Sequence, residues 1–101
     1  MTLLNPADRN RLLSIDGLNR FVNRNRERYI RMLREWKPLL ASRPELSSPD
    51  MLAHNLKGVL MFEQDSPLFS LLRDIFGNDE ATKLVYIDFL ARHFVDLEAG
   101  A

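Results

Sequence analysis

The stretch "MLAHNLKGVL", residues 51–60, holds the side chains of this chain best suited to chemistry: His54, Lys57 three positions on, and Gly58 directly after it. A neutral imidazole is a competent nitrogen nucleophile at neutral pH, provided that a second protein can reach it. A lysine one helical turn away is a flexible point charge suited to phosphoryl oxygens. Gly58 removes a side chain beside the histidine, and Met61 offers an adaptable apolar contact to a visitor.

Whether these groups face outward depends on the helix that carries them. At about 100 degrees per residue, Leu52, Leu56, Val59, Leu60 and Glu63 fall in one arc centred near Leu56, and His54 sits roughly opposite it. Lys57 lies about 60 degrees from the histidine, Met61 almost directly above it, and Gly58 on its other flank. The frame therefore predicts an exposed patch with a core-facing stripe behind it.

The remaining elements follow from punctuation and period. Asn5 and Pro6 predict an N-cap and a short helix over about 6–14, and "IDGL" at 15–18 reads as a turn around Gly17. From 18 to 40, Leu18, Phe21, Val22, Tyr29, Ile30, Leu33, Trp36 and Leu40 recur at three- and four-residue steps. Pro38 predicts a kink or an end near Lys37, and "SRPELSSPD" a loop. Ser48 and Pro49 start a helix running to about Gln64, and Asp65, Ser66 and Pro67 break it and start another. Gly77 ends that one, and Asp79 and Glu80 open the last, with Leu84, Ile87, Leu90, Ala91, Phe94 and Leu97 as its inner stripe. No segment alternates with period two. The expected fold is all-α: an antiparallel, up-and-down four-helix bundle with a short extra N-terminal helix. Leu33, Trp36, Leu52, Leu56, Leu72, Ile75, Leu84, Ile87 and Phe94 are its expected core.

A chain of 101 residues, 46% hydrophobic and 28% charged, is expected to form one domain over 1–101. Without cysteine it can form neither a disulfide nor a thiolate metal site. Its two histidines stand 39 positions apart, and it has no glycine-rich phosphate loop and no H-E-x-x-H, so neither a metal nor a cofactor is expected. No apolar run approaches the roughly 18 to 20 residues of a membrane span, and the N-terminus lacks the form of a signal peptide. A cytoplasmic monomer is the expectation. Formal net charge is zero, yet residues 1–43 carry ten Lys or Arg against four acids, and residues 44–101 four against ten. The chain is a dipole.

"AHNLKG", Ala53 to Gly58, resembles the signature of histidine phosphotransfer (HPt) domains, Ala-His-x-Leu-Lys-Gly on one helix of a four-helix bundle. The resemblance covers about residues 18–98. It implies a phosphoryl carrier, with no turnover of its own, that takes a phosphoryl group from the aspartate of a response-regulator receiver domain and passes it on in a multistep phosphorelay. A receiver domain or a hybrid histidine kinase would be the partner. Carried over, His54 is the phosphoacceptor, Lys57 stabilises the phosphoryl group, and Gly58, Met61 and Ala53 meet the partner. Where the family places small residues and a glycine after the motif, this chain has "VLMFEQDSP".

A different class of function also fits. Arg20, Arg24, Arg28 and Arg31, followed by Arg34, recur on the face opposite the apolar stripe of residues 18–40. They are expected to stay wet, and they suit a small helical adaptor or regulator that binds a protein partner; the zero net charge disfavours nucleic acid. His93, between core positions Leu90 and Phe94, is expected to be structural or solvated.

Overall fold

The computed structural model describes residues 3–62 and 67–100. These residues form helices α1 (Pro6–Leu13), α2 (Asp16–Leu40), α3 (Pro44–Ser47), α4 (Pro49–Phe62), α5 (Pro67–Phe76) and α6 (Glu80–Ala99), with no strand among them. No helix among the described residues is long and apolar enough to cross a membrane.

The ends follow local chemistry. Asn5 Oδ1 accepts from the Asp8 amide at 2.9 Å, and Pro6 fills the first helical position. Ser48 Oγ accepts from the Met51 amide at 3.3 Å at the start of α4. Asp79 caps α6, accepting from the Thr82 amide at 3.1 Å and the Thr82 hydroxyl at 2.7 Å, and these two bonds hold its carboxyl below the usual value. Gly77 ends α5 at φ +64°, a backbone conformation that disfavours other residues.

Several expected boundaries move. The turn at 15–18 shrinks, because α2 already begins at Asp16, with Gly17 in its first turn. A Cβ on Gly17 would lie 2.6 Å from Leu71 Cδ1, so this glycine serves the close approach of α5. Pro38 does not end α2, which runs to Leu40 with the proline in its final turn, giving up the one i−4 bond that its nitrogen cannot donate. The expected loop 42–50 contains the single turn α3. The expected end at Gln64 and break at Asp65 and Ser66 lie outside the described residues, as does Glu63.

Helix α6 is the hub: α1, α2, α4 and α5 all pack against it, α4 most intimately. Ile87, Leu90, Ala91 and Phe94 of α6 join Leu18, Phe21, Val22, Tyr29 and Leu33 of α2, Leu52, Leu56 and Leu60 of α4, and Leu68 and Leu72 of α5 in one core. Phe94 and Tyr29 pack with ring centroids 4.9 Å apart. Being surrounded, α6 buries a wide arc, Lys83, Tyr86, His93 and Val95 included.

Leu84 corrects the expected core, since it is 39% exposed. Counted from Phe94 in steps of about 100 degrees, the centre of the stripe falls on Lys83 and not on Leu84. The lysine lays its aliphatic stem inward, at 8% exposure, and its ammonium pairs with Glu80 at 2.6 Å. Trp36 and Ile75 are only half-buried at the core margin.

The N-terminus is clamped by one carboxylate. Asp96 Oδ1 accepts from the Leu3 amide at 2.7 Å, and its Oδ2 accepts from the Leu4 amide at 3.0 Å and from Arg9 Nη2 at 2.7 Å. Farther along, Lys37 of α2 pairs with Glu98.

Phe94→Ala is expected to cost about 3–5 kcal/mol, because it empties the centre of the core. Leu84→Ala is expected to cost under about 1 kcal/mol. Urea unfolding of the two variants measures the contrast.

Candidate functional site

α4 presents the predicted face. Leu52, Leu56 and Leu60 are buried and His54 is exposed, with no hydrogen bond to any described residue. Gly58 is half-buried, and a Cβ there would meet nothing within 4 Å, so the space beside the histidine is open. Met61 is 37% exposed, and Phe62 beyond it 85%. Ala53 corrects the predicted contact set: at 2% exposure it belongs to the core, where a small side chain suits the tight packing of α4 on α6, and it has no surface to offer a partner.

Lys57 is half-buried and its Nζ lies 4.0 Å from Asp88 Oδ1 of α6. Asp88 Oδ2 also accepts from Arg92 Nε at 2.9 Å, and Arg92 Nη1 lies 3.5 Å from Asp50 Oδ1 on α4. A chain of alternating charge, Lys57–Asp88–Arg92–Asp50, thus bridges α4 and α6. Its α4 members stand one turn before and one turn after His54. Each such exposed pair contributes at most about 1 kcal/mol, so the consequence is positional. Because Arg92 also holds Asp88, Lys57 can leave that carboxylate without leaving Asp88 unpaired.

Asp50, Asp88 and Arg92 were not singled out from the sequence. The four-residue spacing of Asp88 and Arg92 is a helical ion-pair signal, but which side of α6 faces α4 is a tertiary fact.

His93 is the opposite case. It is 4% exposed, and its Nδ1 is buried without a hydrogen-bond partner. Burial, with the positive charge of Arg9, holds its pKa below the ordinary 6.5 against the opposing pull of Asp96, and Arg26 lowers it further. It is structural and unreachable. Among the described residues, no group of three or more His, Cys, Asp or Glu is placed to hold a metal ion.

Arg20, Arg24, Arg28 and Arg31 are all exposed on α2, on a different helix from His54. Comparison of the chain with protein-family models, curated proteins and solved structures finds no match.

Two outcomes are expected. Diethyl pyrocarbonate should modify one histidine of the native protein and none in His54→Gln, measured by absorbance near 240 nm and mass spectrometry. Stability should hold above about pH 6.5 and fall as pH drops below it, because the unfolded chain takes up a proton at His93 before the folded one does. Melting temperatures measured from about pH 7.5 to 5.5 should show that slope, and His93→Gln should flatten it.

Proposed function

We propose that this chain is a histidine phosphotransfer protein, carrying a phosphoryl group on His54 between receiver domains of a multistep phosphorelay, or from a hybrid histidine kinase to a receiver. The observation that carries this reading is an exposed imidazole without a partner, flanked by a lysine held loosely at 4.0 Å from Asp88 and by open space over Gly58. The AHNLKG resemblance supports the same assignment.

In the proposed step, the lone pair of the unprotonated imidazole nitrogen attacks the phosphorus of an aspartyl phosphate. The P–N bond forms as the P–O bond to the aspartate breaks, and the carboxylate leaves with that electron pair. Lys57 swings from Asp88 toward the phosphoryl oxygens, while Arg92 stays paired with Asp88. Transfer onward is the reverse reaction on another receiver. The chain is then a carrier without turnover of its own, and it needs no cofactor.

In this reading α2, α4, α5 and α6 are the antiparallel, up-and-down bundle of such a domain, and α1 is an addition clamped to α6 through Asp96. Gly58 and Met61 border the receiver, Phe62 extends that border, and the protein acts as a cytoplasmic monomer.

Incubation with a phosphorylated receiver domain should label His54 with an acid-labile, base-stable phosphoryl group. His54→Gln should lose the label and keep its stability within about 0.5 kcal/mol, since an outward side chain adds little to the core. Lys57→Ala should slow labelling about tenfold, equivalent to about 1.4 kcal/mol of barrier. Asp88→Asn, which frees Lys57, should shift the equilibrium toward phospho-His54 by a few fold. Absence of label from every receiver encoded in the same genome would overturn the assignment.

A further inference from the structure

We infer that the groove between α2 and the start of α5 is a docking site for an amphipathic acidic helix of a partner protein. The groove has a volume of about 690 Å³ and is lined by Arg20, Arg24, Asn25, Phe21, Ser70 and Leu71, among others, with Asp74 on the α5 wall. None of its lining residues belongs to the His54 surface.

Charge complementarity identifies the occupant. Arg20, Arg24 and Arg31 make no ion pair with any other described residue and form an exposed row along α2, while Arg28 between them is already engaged. At 1.5 Å of rise per residue the stretch from Arg20 to Arg31 is about 16 Å long, with Arg34 and Glu35 beyond it. Steps of four and seven residues place the guanidinium groups of Arg20, Arg24 and Arg31 about one and two helical turns apart, spacings at which a second helix lying alongside presents its own carboxylates. Arg20 and Arg24 share the rim of the groove with half-buried Leu71, and the largely buried Phe21 lies at its floor. A helix with an acidic row and an adjacent apolar row satisfies both features at once.

A nucleic acid fits less well. Asp74 on one wall and Glu27 within the arginine-rich segment put negative charge where a phosphate backbone would run, and the net charge of zero gives no long-range attraction. A protein helix can set a neutral or basic side chain against Asp74, and Asn25 and Ser70 supply polar contacts at the edge. Asn25 Nδ2 already donates to the Phe21 carbonyl at 2.9 Å, which leaves its amide oxygen for a partner.

The test is fluorescence anisotropy with a labelled synthetic amphipathic helix of about 18 residues, its glutamates at three- and four-residue steps beside a leucine row. The same peptide scrambled and an oligouridine RNA serve as competitors. The designed peptide should bind more tightly than either. Arg20→Glu with Arg24→Glu should weaken binding about tenfold or more. Ser70→Trp, which fills the groove without changing charge at an exposed position, should weaken it as well, with folding checked by circular dichroism. His54→Gln should bind like the wild type, so failure of phosphotransfer leaves this result standing. Equal binding of the scrambled peptide, tighter binding of RNA, indifference to Ser70→Trp, or no binding would overturn the inference.

Discussion

The packing of α6 is the constraint on which the rest of this structure depends. A helix covered by four others has to bury residues over most of its circumference, so even Lys83 and His93 are drawn inside. Phe94 against Tyr29 ties it to α2, and the leucines of α4 close against its other side. Helices α1, α2, α4 and α5 are each oriented by what they must give to α6. For α4 that means turning Ala53, Leu56 and Leu60 inward, which leaves His54 on the outside. The exposure of the histidine is therefore a consequence of core packing.

Electrostatics follows the same geometry. The basic N-terminal and acidic C-terminal parts of the chain meet across helix boundaries, as Arg9 with Asp96 and Lys37 with Glu98. The most deeply engaged of these acids, Asp96, also holds the backbone amides of Leu3 and Leu4, so one carboxylate ties that stretch and Arg9 to α6. What this pairing leaves over is informative. Among the described residues, Lys57 shares its one carboxylate with Arg92, and Arg20, Arg24 and Arg31 of α2 are exposed and make no ion pair.

The two histidines illustrate how far identical chemistry is set by environment. His93 sits among buried apolar groups with Arg9 near it, which favours its neutral form and denies it to any reactant. His54 stands in solvent with an open flank. The proposed transfer needs the second environment, which of the two histidines His54 alone has.

Sequence alone determined the helical content, the caps at Asn5, Ser48 and Asp79, the stop at Gly77 and the outward face of α4, because each depends on residues within a turn or two of one another. It also placed the arginines of α2 in solvent, since a stripe opposite an apolar one has nowhere else to go. Tertiary structure decided the rest. Lys83 displaced Leu84 from the inner stripe because a long stem can bury while its charge escapes, and Ala53 went to the core because α4 lies tightly on α6. Asp88 and Arg92 joined His54 and Lys57 only through the packing of two helices far apart in sequence. Ser70 and Asp74 came to the arginine row in the same way, across a boundary that no local pattern encodes.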